Sequence, residues 1–131
     1  MRAATLLLLL AGCSRTPLSP TEPAPISDVV RAEWAIAQAK IGGLAHTIGP
    51  ERFGWVEHVG MFPCPGTVGL KQGCFGPDAP GGPRVEWDTT APSILRHEAG
   101  HSILWALVDP RWDCYEHDDP TNGNYEERCV R

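Results

Sequence analysis

The chain is short of basic charge: 11 lysines and arginines stand against 16 aspartates and glutamates, a formal net charge of −5. A surface built to neutralise nucleic-acid phosphates needs the opposite balance, so no nucleic-acid partner is expected. Nowhere does the sequence hold the roughly 20 consecutive apolar residues that a bilayer-spanning helix requires. No Cys-x-x-Cys pair occurs, which removes the usual spacing of a zinc knuckle. What is present is turn chemistry, with 13 prolines and 14 glycines in 131 residues, yet 42% apolar content and five tryptophans exceed what a disordered chain carries. The length leaves room for one core in one loop-rich domain.

Residues 1–12 read as a removable leader. Met1-Arg2 precedes an apolar run from Ala3 to Ala11 that includes Leu6 to Leu10, a run of signal-peptide length and too short for a transmembrane anchor. Leu10-Ala11-Gly12-Cys13 matches the bacterial lipobox, in which Cys13 becomes the lipidated N-terminus of the mature chain. Residues 13–26 then form a tether rich in proline, serine and threonine. Ser14, rather than an aspartate, follows the lipidated cysteine, which under Gram-negative sorting favours the outer membrane. The expected location is the cell envelope, at the outer membrane or cell surface, with a folded domain over residues 27–131.

Without Cys13 four cysteines remain, an even number in an exported chain, and this reads as two disulfides. Cys64–Cys74 and Cys114–Cys129 are the favoured pairs because each closes a local loop; the alternative pairings staple the two regions together. Between them the pattern predicts an α+β domain. Asp28 to Ala45 carries apolar residues at Val29, Val30, Ala32, Ile36, Ala37 and Ile41, with Ser27 or Asp28 as cap, and predicts a helix ending near Gly42-Gly43. Phe53–Phe62 predicts a strand, with weaker strands at Val68–Phe75 and Arg84–Trp87. Thr89 or Thr90 caps a second helix with Pro92 in its first turn, an apolar face from Ile94 to Val108, and an end forced by Pro110.

That second helix carries His97-Glu98-Ala99-Gly100-His101. Histidines four apart share a helix face and place two ring nitrogens on one metal ion, while Glu98 lies beside that face within reach of a water the metal activates. Zinc is the metal the spacing suits, and the chemistry implied is amide hydrolysis with Glu98 as general base. On these residues the chain resembles the zincin metallopeptidases, in which a helix bearing His-Glu-x-x-His packs under a small twisted sheet. The resemblance spans about residues 84–117 and implies a zincin-like fold: a short twisted sheet, an N-terminal helix and an active-site helix. It implies an edge strand that binds substrate in extended form; Pro83–Trp87 is the candidate for a sheet strand near the site, without being assigned to the edge. Leu104 and Leu107 stand where a metzincin has glycine and a third histidine, so that subclass is excluded.

The third ligand is expected beyond the turn at Val108-Asp109-Pro110. His117 is favoured, as in some small zincins, SprT-like proteins among them, with Glu116, Asp113, Cys114, Asp118 and Asp119 as alternatives. Tyr115 and Tyr125 are candidates for stabilising an oxyanion, and Trp105 for a wall of the metal pocket. The five tryptophans otherwise read as core, and His46 and His58 as residues outside the site. The substrate expected is a peptide or an envelope protein. The competing expectation is a non-catalytic zinc-binding or structural envelope lipoprotein, which has no need of Glu98.

Overall fold

In the computed structural model, residues 26–121, 123 and 126–130 are described. The leader, Cys13, the tether up to residue 25, and Tyr125 lie outside the described residues.

Helix α1 runs Asp28–Ile41, and the Val30 amide donates to Ser27 Oγ at 3.3 Å, the expected cap. Its inward face is Val30, Trp34, Ala37 and half-buried Ile41, whereas Val29 and Ile36, expected inward, face solvent. The stripe is i, i+4, i+7, i+11, centred on the tryptophan rather than on the β-branched residues. Gly42, with φ of 74°, stops the helix, because a left-handed backbone costs glycine nothing.

The single strand expected over Phe53–Phe62 is two. β1, Gly54–His58, ends where Gly60 takes a φ of 90°, and the chain resumes as β2, Phe62–Pro63. The next segment also divides, into β3, Leu70–Lys71, and β4, Gly73–Gly76. β2 and β3 pair antiparallel as a small separate ribbon. β5, Arg84–Asp88, is the middle strand of a three-stranded sheet of order β1-β5-β4, parallel to β1 and antiparallel to β4. The strand singled out at residues 83–87 is therefore central, and β1 and β4 are the two edges, β4 on the side of the α2 cleft. Val85 and Trp87 explain this: both are buried, as a strand paired on both sides tends to be.

Helix α2 runs Pro92–Ala106 and packs on α1, on β5 and on β4. Neither Thr89 nor Thr90 caps it; the cap position is Ala91, with no side-chain bond. Both threonines serve the preceding turn instead. Thr89 Oγ1 donates to the His58 carbonyl, and Thr90 donates from its amide and hydroxyl to Asp88 Oδ1. Asp88 is fully buried, also accepts from the Gly60 amide, and is held below the usual carboxylate range by Thr90's hydroxyl and amide bonds. The core between helices and sheet is aromatic. Phe53 meets Trp34 at 5.3 Å and Phe75 at 5.9 Å between ring centres, and Trp105 meets Phe75 at 5.7 Å.

Both expected disulfides are present: Cys64–Cys74 ties the chain after β2 to β4, and Cys114–Cys129 closes the C-terminal segment. No described helix is long and apolar enough to cross a membrane.

Candidate metal centre

Positions 97 to 104 of α2 are all buried, so His97, Glu98 and His101 sit where the helix is enclosed rather than on a wet face. The chain reverses at Val108, passes a 3-10 turn at Trp112–Cys114, and brings His117 back over the helix. Gly100 makes the approach possible. A β-carbon there would collide with the Tyr115 ring, so the smallest residue lets the returning segment lie against α2.

The result is a cluster of three imidazoles. His101 Nε2 lies 3.0 Å from His97 Nε2 and 3.1 Å from His117 Nε2, and the three side chains could hold one metal ion. Metal–nitrogen bonds of 2.0–2.1 Å in a tetrahedral site separate ligand nitrogens by about 3.3 Å, close to these distances. Behind the cluster every Nδ1 points at an oxygen. His97 Nδ1 donates to Glu116 Oε2 at 3.1 Å, His101 Nδ1 donates to the Trp112 carbonyl, and His117 Nδ1 faces Glu126 Oε1 at 3.2 Å without the angle of a hydrogen bond.

A carbonyl can only accept, so His101 carries its proton on Nδ1 and turns a bare lone pair toward the cluster. An ionised Glu116 imposes the same tautomer on His97. Burial alone would raise the Glu116 carboxyl, but its bonds to Lys40 and His97 outweigh that and leave it below the ordinary range. Lone pairs brought within about 3 Å repel unless a proton or a cation lies between them. Burial lowers the pKa of His97, and burial followed by the nearby His97 lowers that of His101 to about 4, so protons are a poor solution near neutrality. A cation is the better one, and the outward-bonded histidines are the arrangement that metal sites use to fix ring and tautomer.

Glu98 stands beside the cluster, buried, its carboxyl without a hydrogen-bond partner among the described residues; burial raises its pKa to about 8. It opens on a cleft of about 560 Å³ that also contains the three histidines. The opposite wall is the sheet edge. A β-carbon on Gly73, the first residue of β4, would come within 2.9 Å of Glu98 Oε1, so glycine is what lets the edge strand lie directly over the carboxylate. Met61, Leu70 and Phe75 give the cleft an apolar side; Asp113, Glu126 and Arg128 give it a charged one, with Arg128 2.6 Å from each acid.

Of the residues singled out from sequence, His97, Glu98, His101 and His117 come together. Glu116 is not a fourth donor in the cluster but sits behind His97. Cys114 is committed to its disulfide, Asp113 to Arg128, and Asp119 to the amide and hydroxyl of Thr121; Asp118 is exposed. The Tyr115 ring packs on α2, and the residue lines a second cavity rather than the metal cleft. Trp105 belongs to the core, whereas Trp112, read as core, lines the cleft and orients His101 through its carbonyl. His46 bonds the Gly43 carbonyl and His58 stacks on Phe62 beside Glu86, both apart from the site. The Trp112 carbonyl and Gly73 were beyond sequence reasoning, since neither has a motif.

No family model, curated protein or solved structure matches the chain.

Proposed function

We propose that this chain is a zinc-dependent peptide hydrolase of the zincin type, working at the bacterial cell envelope on a lipid anchor at Cys13. The observation that carries the reading is the meeting of three histidine Nε2 atoms with an unpaired, buried Glu98 in one open cleft. Three neutral imidazoles suit zinc and leave room at it for water or substrate. Bound there, zinc supplies Lewis acidity, activating water and polarising a carbonyl.

The protein's own groups do the rest. Glu98 accepts a proton at its carboxylate as water attacks the scissile carbonyl, holds it in a site screened from solvent, and returns it to the leaving nitrogen. Burial favours the protonated carboxyl in the metal-free site; a dication bound beside it would favour the carboxylate, the form that accepts the proton. The outer edge of β4, Gly73–Gly76, unpaired by another strand among the described residues, offers main-chain groups to an extended substrate segment lying over Glu98, so the substrate class is a peptide or an unfolded stretch of an envelope protein. The two disulfides favour an oxidising compartment, in keeping with an exported domain.

The test is Glu98→Gln. We expect it to retain one zinc per chain, measured by metal analysis, and to lose peptide hydrolysis by about 100-fold or more. Hydrolysis that survives the substitution removes the mechanism. Zinc in the wild type with no hydrolysis of any peptide tested leaves a zinc-binding lipoprotein without catalysis.

A further inference from the structure

Glu116 occupies a conformation that its residue type disfavours. Its φ is +58°, in the left-handed region, where a side chain with a β-carbon costs about 1 kcal/mol or more. The turn it makes is needed: Tyr115 on one side lies against Gly100, and His117 on the other enters the cluster. Glycine would make that turn without cost. The carboxylate is what glycine would lack, and it accepts from His97 Nδ1 on one oxygen and pairs with Lys40 Nζ of α1 on the other. Arg96, another cation near Glu116 among the described residues, is bonded to Glu33 at 2.8 Å.

We infer that Glu116 and Lys40 are positioning residues for the metal ligand His97, so that helix α1 helps set the affinity of a centre to which it contributes no ligand. The inference rests on the metal reading of the three-histidine cluster. Lys40 anchors one carboxylate oxygen, the other oxygen holds the His97 ring and its Nδ1 proton, and Nε2 is thereby aimed at the ion. Lys40 is more than half exposed, and an ion pair in that setting contributes little to global stability. Its effect belongs to metal affinity, where losing the outer partner of a ligating histidine weakens binding by about 10- to 100-fold.

The experiment measures zinc affinity by chelator competition and the cobalt(II) spectrum on the full chain, together with thermal unfolding of the metal-free protein. Glu116→Gly relieves the backbone and removes the carboxylate; Glu116→Gln keeps the length and loses the charge. We expect both to bind zinc about 10- to 100-fold more weakly than wild type, with Glu116→Gly unfolding at the same or a higher temperature when metal-free. Lys40→Met should weaken binding by about 2- to 10-fold, Lys40→Arg should restore it, and the saturated cobalt spectrum of Glu116→Gln should shift. Unchanged affinity in the Glu116 variants or in Lys40→Met overturns the inference and leaves the metal reading standing. A folded wild type that takes up no zinc overturns both.

Discussion

Glu98 and the histidines beside it pull the metal-free protein in opposite directions as pH changes. Burial holds the folded pKa values of His97 and His101 below the ordinary 6.5, so the unfolded chain binds more protons below that pH and stability is lost as pH falls, for His101 toward about 4. Glu98 is raised from 4.5 to about 8, so the folded chain holds the extra proton and stability falls as pH rises through that range. From 4.5 to 6.5 the two effects oppose each other; above that range the loss from Glu98 outweighs what the histidines still regain. Metal-free protein should therefore be most stable near pH 6.5 and lose about 1 kcal/mol by pH 8. Urea unfolding of Glu98→Gln should show that alkaline decline abolished; a decline unchanged by the substitution would mean that Glu98 is ionised in the folded state. The identities of these residues were legible in the sequence because the ligand spacing is local to one helix. Their environment was not, since a pKa depends on what the rest of the chain packs around them.

At the scale of elements, α2 ends against its own propensities. The Asp109 amide donates to the Leu104 carbonyl at 2.9 Å and the Val108 amide to that of Trp105, a Schellman closure with Val108 in the left-handed position at φ of 57°. A β-branched residue there is strained, and its side chain, 88% exposed, gains nothing from burial. Val108→Gly should raise the unfolding free energy by about 1 kcal/mol, read as a higher thermal midpoint with zinc affinity unchanged. A lower midpoint would show that the closure does not need the left-handed residue. Sequence marked the end of this helix through Pro110 and its apolar face through Leu95, Ile103 and Leu104. It misplaced the start because Thr89 and Thr90 are good caps that the buried Asp88 engages first. The strands were less legible. Breaks at Gly60 and at Gln72 cut two expected strands into four, and a central strand of five residues looks in sequence much like an edge.

Over the whole molecule, the C-terminal segment is held to the metal cleft by a few bonds. The Glu126 amide donates to the His117 carbonyl at 2.8 Å, Arg128 pairs with Asp113, and Cys114–Cys129 closes the loop that contains the third histidine. Replacing both cysteines by serine should cost about 3 kcal/mol, the entropy of a 15-residue loop, and should lower zinc affinity as well, since His117 is presented from inside that loop. Thermal unfolding with and without zinc separates the two effects; equal zinc stabilisation in both proteins would show that the loop holds His117 without its disulfide. Readable from the chain alone were the histidines four apart on one helix, the glutamate between them, the two disulfides and the two helices. Each of these is written in short spacings or local periodicity, where one helical turn or one closed loop fixes the geometry. Three relations came from the folded chain instead: His117 completes the cluster, Glu116 stands behind His97 in the grip of Lys40, and β4 rather than β5 overlooks Glu98. Those relations join residues 16 to 76 positions apart, and they exist only because burying the aromatic core folds the chain back on itself.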